Sequence, residues 1–185
     1  MQDYHEFLDE VLVTKEQIEA RVAELGLQIS RDYAGKNPIV ICLLRGGITF
    51  TADLLRYMNI DPEVDCMSLS SYGVGHYASS GNVRVHLDLR TNIEGRHVLL
   101  VEDIVDSGRT LAHVINLLCT RDPASLRVCV LLDKKMRREV PVQVDYVGFD
   151  VPDKYVFGYG IDIDEHCRYL PFIASVNLAK YQKPG

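Results

Sequence analysis

The sequence predicts an α/β protein in which a parallel core sheet is flanked by helices. Short, wholly apolar runs, IVICLL (39–44), VLLV (98–101) and VCVLL (128–132), have the character of strands buried on both faces. The first two lead through a short loop carrying glycine into a segment of helical periodicity, and strands separated by helices pair in parallel through crossovers. The chain of 185 residues is 47% hydrophobic and 25% charged, the balance of an ordinary globular domain that can bury one core.

Taken in order, residues 14–33 form the clearest helix, with Ile18, Val22, Leu25, Ile29 and Tyr33 at spacings of three and four. Thr14 and Gln17 have the spacing of a capping box, and Gly35 lies just past the end. The strand 39–44 is broken by Arg45-Gly46-Gly47, after which a helical pattern runs from 48 to about 58. Residues 70–82, SSYGVGHYASSGN, carry little apolar content and have the length and composition of a lid loop. Val83, Val85, Leu87 and Leu89 alternate with Arg84, His86, Asp88 and Arg90, so the chain returns as a half-exposed strand. The run 98–101 leads into a helix beginning near Thr110, with Leu111, Val114, Ile115 and Leu118 on one face. The run 128–132 ends at Asp133-Lys134-Lys135, and Val144, Tyr146 and 147–149 make a further strand closed by Val-Pro-Asp at 151–153. With no repeat, low-complexity tract or linker, residues 1–185 read as a single domain.

A net charge of −6 argues against a nucleic-acid coat protein, because affinity for phosphate backbones comes largely from Lys and Arg. It leaves room for a small phosphorylated ligand in a locally basic pocket. The five cysteines are scattered and form no C-x-x-C, so neither a disulfide framework nor a thiolate zinc site is expected. The six histidines show no ligand spacing, and Arg137-Arg138 belongs to no motif and reads as solvated. The opening residues lack a basic segment followed by an apolar one, and no apolar run approaches the roughly 18 residues of a membrane span. A cytoplasmic protein without membrane contact is the expectation.

The chemistry concentrates in VLLVEDIVDSGRTL (98–111). Carboxylates rarely enter a core unpaired, yet Glu102 and Asp103 follow four apolar residues at once. In an open parallel sheet, ligands sit beyond the carboxyl ends of the strands, so both acids face a cleft. Asp106-Ser107-Gly108-Arg109-Thr110 then runs into a helix whose free N–H groups and positive dipole end suit a phosphate. The acids can accept hydrogen bonds from a sugar diol or face a metal ion. Acids beside a phosphate loop therefore point to one ligand with two ends, a ribose whose 5-phosphate rests on the loop. The plain alternative is that both acids are solvated and Thr110 merely caps the helix; against it stands the complete pattern of apolar run, two acids, Asp, Ser-Gly, base and Thr. Neither a Walker loop nor G-x-G-x-x-G is present.

VEDIVDSGRT resembles the phosphoribosyl-diphosphate signature of the type I phosphoribosyltransferases. LLDKK (131–135) and VGFDVPDKYVFGYGIDIDEHCRYL (147–170) narrow the resemblance to the hypoxanthine-guanine branch, over residues 39–170. The resemblance implies the fold of that family, with a small hood built from the N-terminal and C-terminal segments and a mobile lid. It also implies transfer of ribose 5-phosphate from phosphoribosyl diphosphate to a 6-oxopurine (hypoxanthine, with guanine), releasing diphosphate and requiring Mg2+. Purine salvage yielding IMP or GMP, and assembly into a homodimer or homotetramer, follow as further expectations.

Carried across residue by residue, the resemblance gives Glu102 and Asp103 the ribose hydroxyls and a share in the metal. Asp106, Ser107, Gly108, Arg109 and Thr110 receive the 5-phosphate, and Asp106 is also the general base facing the purine ring nitrogens. Arg45 and Gly46 form the diphosphate loop, where relatives often carry a non-proline cis peptide before the basic residue, and Arg168 pairs with diphosphate. Ser71 and Tyr72 belong to the lid. Lys134 reads the purine; as a pure donor it suits a 6-oxo acceptor and leaves the amino group of adenine facing another donor. Lys135 is adjacent, but the spacing from Thr110 favours Lys134. Tyr155 stacks on the base, where many relatives have Phe, and the backbones of Lys154 and Val156 complete the purine contacts. Asp162 borders the purine and coordinates Mg2+, while Asp164 and Glu165 read as solvated.

Two rivals carry other functions. A signalling receiver module also sets acids at strand ends around magnesium, but its acid pair comes near the N-terminus, whereas here the acids lie past mid-chain and precede a phosphate loop. A regulatory RNA-binding protein on the same fold is nearer; the acidic balance, Lys134 and Tyr155 weigh against it.

Overall fold

The computed structural model describes residues 2–71 and 83–182. Among these, six strands form one sheet in the order β4 (Val83–Leu87), β3 (Glu63–Ser71), β2 (Ile39–Leu44), β5 (His97–Val105), β6 (Ser125–Asp133) and β7 (Tyr146–Asp150). All neighbours are parallel except β3 and β4, which run antiparallel. Three helices of a turn and a half or more accompany the sheet: α2 (Lys15–Asp32), α3 (Gly47–Tyr57) and α4 (Arg109–Cys119). A one-turn helix, α1 (Tyr4–Phe7), precedes them.

The strands are wholly apolar because both faces are covered. Val40, Leu99, Val101, Cys129 and Leu131 pack with Ile18, Val22, Leu25 and Ile29 of α2 and with Phe50 and Leu54 of α3. The alternate residues Ile39, Ile41, Val98, Leu100, Val128 and Val130 pack with Leu111, Val114 and Leu118 of α4. Period-two alternation thus divides each strand between two cores, and each fully buried Leu, Ile or Val contributes about 1.5–3 kcal/mol. α2 is fixed as its sequence indicates: Thr14 Oγ accepts from the Gln17 amide at 3.3 Å and Gln17 Oε1 from the Thr14 amide at 2.8 Å, while Gly35 takes φ +73° after its end. Arg21 of α2 donates to the carbonyls of Val147 (2.7 Å) and Gly148 (3.1 Å), covering part of the edge strand β7.

The structure departs from the sequence reading in several places, the first being β3 (Glu63–Ser71), a strand of the core sheet that the sequence did not lead us to expect. β5 continues through the acids to Val105, because β6 runs alongside as far as Asp133 and keeps the ladder paired; Glu102 and Asp103 therefore lie in the last pleats of the strand. Val144 falls outside β7, which begins at Tyr146. Residues Leu8–Val13 (β1) and Ile173–Val176 (β9), not anticipated as strands, join β8 (Val156–Phe157) in a second, antiparallel sheet ordered β1-β9-β8. The half-exposed strand after the lid segment is present as β4, whereas Tyr72 and the rest of that segment to 82 lie outside the described residues.

Candidate active site

The carboxyl ends of β2, β5 and β6 open on one side of the sheet, and each delivers one part of the site. β2 ends in a cis peptide between Leu44 and Arg45, followed by Gly46. The Asp103 carboxylate from the neighbouring β5 lies directly against Gly46: a Cβ there would stand 1.6 Å from Asp103 Oδ2. The carbonyl of Gly46 in turn meets Gly160, where a Cβ would approach it to 2.3 Å at φ +97°. Two glycines thus let residues 44–46, the acid pair and the 158–168 segment close on one another.

Glu102 and Asp103 are partly buried neighbours. Glu102 Oε1 accepts from the Asp103 amide (3.1 Å) and Asp103 Oδ1 from the Ile104 amide (2.8 Å). Withdrawal from water, and then the adjoining Asp103 charge, hold the Glu102 carboxyl well above the usual range. Such a pair favours ligands that bring hydroxyl protons or a cation.

Beyond β5, residues 106–110 curl into α4. Gly108 caps the helix at φ +84°, in the left-handed region where glycine is at ease, and a Cβ there would lie 2.7 Å from the Val140 carbonyl. Ser107 O accepts from the amides of Glu139 (2.9 Å) and Val140 (3.1 Å), which anchors the loop from behind. The Arg109 guanidinium is taken by Glu139, with Nε 2.8 Å and Nη2 2.6 Å from Oε2. The Arg109 charge is thus directed to Glu139, while its amide donates to Ser107 Oγ at 3.4 Å. Thr110 is exposed in the first turn of α4.

Asp106 and Lys134 stand opposite each other at the ends of adjacent strands, Oδ2 to Nζ 3.8 Å apart. The Asp106 side chain is about half exposed, at 47%, yet its Oδ1 is shut off from solvent and accepts no hydrogen bond. Arg137 Nε lies 3.2 Å from that oxygen, close enough for an ion pair without a hydrogen-bond line. Lys134 is 4% exposed, and burial pulls its ammonium below the ordinary lysine range against the opposing pull of Asp106. Lys135 points elsewhere, to Asp150 at 2.8 Å, so the geometry separates the two lysines.

The remaining candidates lie on the segment 154–168 and at the end of β3. Tyr155 is 46% exposed while Val156 is buried in β8. Lys154 sends its ammonium to Asp9 (3.0 Å) and Glu10 of β1, and its amide donates to the Pro152 carbonyl (2.8 Å). Asp162 is held by Arg168 Nη2 (2.9 Å) and by the Glu165 amide (2.7 Å). Arg168 also donates to the Gly160 carbonyl (2.8 Å) and to Glu165 (3.1 Å), and Arg45 Nη2 reaches the other oxygen of Glu165 at 3.0 Å. Ser71 ends β3 on the same sheet.

The family model described as "Phosphoribosyl transferase domain" matches residues 10–166. The chain belongs to the phosphoribosyltransferase family. A hypoxanthine phosphoribosyltransferase of Haemophilus influenzae is 47% identical over 172 residues, covering 91% of this chain and 96% of that protein. Among solved structures, a hypoxanthine phosphoribosyltransferase of Staphylococcus aureus superposes with a TM-score of 0.92 at 38% identity, covering 97% of both chains. That of Trypanosoma cruzi, in complex with the product IMP, gives 0.89 at 41% identity, over 98% of this chain and 100% of that one.

In this phosphoribosyltransferase the sequence reading missed the arginines after β6. Arg138 is only 17% exposed and pairs with the buried carboxylate of Asp133, while its Nη1 lies 3.4 Å from the Asp106 carbonyl at the start of the loop 106–110. Arg137 bridges Asp106 and Asp153, the latter at 3.2 Å. Neither is simply solvated: their partners come from other segments and gave no local signal. Glu165 is exposed as expected but binds both Arg45 and Arg168, and Asp164 accepts from the Tyr181 hydroxyl.

Proposed function

We infer that this phosphoribosyltransferase serves purine salvage, moving the 5-phosphoribosyl group from phosphoribosyl diphosphate to a ring nitrogen of hypoxanthine, and of guanine, to give IMP or GMP and diphosphate. The observation that carries this is the facing pair of Asp106 and buried Lys134 beside the phosphate loop. Lys134 has protons to give and none to accept; it suits a 6-oxo oxygen and is mismatched to an amino group. The relatives named above are transferases, which favours the enzyme over an RNA-binding regulator.

In this reading the 5-phosphate rests on the amides and hydroxyls of 106–110, and Glu102 and Asp103 grip the ribose hydroxyls. Gly46 and Arg45, with Arg168 opposite, receive the diphosphate, and Ser71 and Tyr72 belong to the lid. Tyr155 lies over the purine ring, whose edge meets the backbones of Lys154 and Val156. As the C1–oxygen bond to diphosphate breaks and the C1–nitrogen bond forms, the carboxylate of Asp106 takes the proton from the ring nitrogen. Its side chain is about half exposed, which leaves the carboxylate within reach of a bound base. A positioned base contributes about 10²–10⁴-fold.

The donor set also fits Mg2+. Glu102 and Asp103 on one side and Asp162 on the other are hard oxygen donors, and no group of three or more ligating side chains forms among the described residues. That suits an ion carried by one or two carboxylates together with substrate oxygens and water. Bound there, it would offset the charge of the departing diphosphate. The five cysteines are all unpaired, which accords with a reducing compartment such as the cytoplasm. Assembly into a dimer or tetramer is proposed on the family resemblance alone, and sedimentation would test it.

The test supplies phosphoribosyl diphosphate, Mg2+ and one base at a time. IMP from hypoxanthine, lost with EDTA and replaced by nothing when adenine is supplied, is the expected result. A folded protein that binds phosphoribosyl diphosphate yet makes no nucleotide from any base would overturn the reading.

A further inference from the structure

Arg137 lies on the short 3-10 turn Lys135–Arg137, immediately after β6. Its guanidinium touches both segments that the substrates must occupy: Nε stands 3.2 Å from Asp106 Oδ1 at the phosphate loop, and Nη1 stands 3.2 Å from Asp153 Oδ1 in the segment leading to the purine face. On the other side of Asp106, the Lys134 ammonium remains 3.8 Å away, beyond hydrogen-bond length. Asp106 therefore sits between two cations and is drawn closer to the one the purine does not need.

This matters because Lys134 is almost fully buried. A buried ammonium with a carboxylate in reach gains most by closing on it, since an unpaired buried charge is costly. Direct closure would consume both reacting groups at once, the donor for the 6-oxo oxygen and the acceptor for the ring proton. Resting on the transferase reading, we propose that Arg137 is a positioning residue that braces Asp106 against Asp153, holding the base carboxylate off Lys134 so that both stay available to the purine. The contact engages Oδ1, which is shut off from solvent, and leaves the other carboxylate oxygen, Oδ2, to face the purine. The planar fork of arginine can serve two carboxylates on different segments, which the compact ammonium of lysine cannot do equally well.

Arg137→Met keeps the aliphatic stem and removes both contacts, and Arg137→Lys restores charge without the fork. In the methionine variant kcat/KM for hypoxanthine should fall roughly ten- to a hundredfold, the scale on which a misplacement of about 1 Å acts. KM for phosphoribosyl diphosphate should stay within about twofold, since the sugar and phosphate contacts are untouched, and the lysine variant should recover only part of the loss. A second readout needs no turnover: an NMR titration of the Lys134 ammonium, which faces Asp106, Asp153 and Arg137. In Arg137→Met it should move upward, as Arg137 no longer repels it and Asp106 draws in.

Unchanged hypoxanthine kinetics with an unchanged Lys134 titration would make Arg137 an ordinary surface charge and overturn the proposal. A parallel loss of affinity for both substrates with a lowered melting temperature would overturn it too, as the mark of a purely structural role. If the wild-type protein makes no IMP, the transferase reading fails separately, and the Lys134 titration still decides whether Arg137 holds the two groups apart.

Discussion

Replacing Gly46 by alanine separates what the site needs for binding from what the fold needs for stability. Gly46 has φ −59° and ψ −41°, ordinary right-handed backbone, so alanine brings no conformational strain. The nearest obstacles all belong to one side chain: the new methyl would stand 1.6 Å from Asp103 Oδ2 and 2.4 Å from its Cγ, and Oδ2 must retreat by about 1.8 Å to reach ordinary van der Waals contact at 3.4 Å. An aspartate can do this by rotating about its side-chain bonds, so the folding cost is small, of the order of 1 kcal/mol for an off-rotamer χ angle. The binding cost is not small, since a 1 Å misplacement can lower a rate on the order of 10²-fold. Calorimetric titration with phosphoribosyl diphosphate, steady-state kinetics and a thermal melt, all on Gly46→Ala, read the two costs apart. The expected result is a loss of kcat/KM for phosphoribosyl diphosphate of about 10²-fold with a melting temperature lowered by only a few degrees. Wild-type affinity for phosphoribosyl diphosphate in the alanine protein would refute the placement of Asp103 at the sugar. Gly160→Ala is the contrasting case, because its methyl would meet the Gly46 backbone carbonyl at 2.3 Å on a left-handed residue, and there stability itself should fall.

Three other outcomes are expected. Asp106→Asn should retain binding of phosphoribosyl diphosphate while nucleotide formation drops by about 10²–10⁴-fold; unchanged single-turnover rates would remove Asp106 as the base. Because burial lowers the Lys134 titration below 10.5 in the folded protein, the unfolded chain holds more protons between that folded value and the ordinary one. Stability should therefore rise with pH across that window, and denaturant melts of Lys134→Met should lack that part of the slope. Arg138→Met strands the carboxylate of Asp133, which is 6% exposed, and should cost about 3–5 kcal/mol in urea unfolding; the double change Arg138→Met with Asp133→Leu should recover much of it.

Strands β2, β5 and β6 were legible because they are hydrophobic on both faces, and the helices because each carries its own periodicity, with a capping box on α2; β3, which carries Glu63, Asp65 and three serines, was not. β1 and β9 were not legible either. Each is short, β1 carries Asp9 and Glu10, and the two pair with each other from opposite ends of the chain, as in Leu8 with Val176. The signature 102–110 brought the acid pair and the loop entering α4 to notice because its residues are consecutive in the chain. The contacts that arrange those residues cross between segments: Asp103 on Gly46, Gly160 on the Gly46 carbonyl, Arg137 between Asp106 and Asp153. Arg137 and Arg138 looked like a solvated charge run because nothing within the run reveals the acids waiting at the ends of β5 and β6.

In this reading the ends of β2, β5 and β6 together hold a purine nucleotide, with its two ends on fixed residues. A crystal structure with IMP bound tests it most directly. The account requires the 5′-phosphate on the amides of 106–110, the ribose hydroxyls on Glu102 and Asp103, the purine 6-oxygen on Lys134, and Asp106 within hydrogen-bond reach of the imidazole edge of the base. A nucleotide bound with its base away from Lys134 and Asp106, or with its phosphate off that loop, would contradict it.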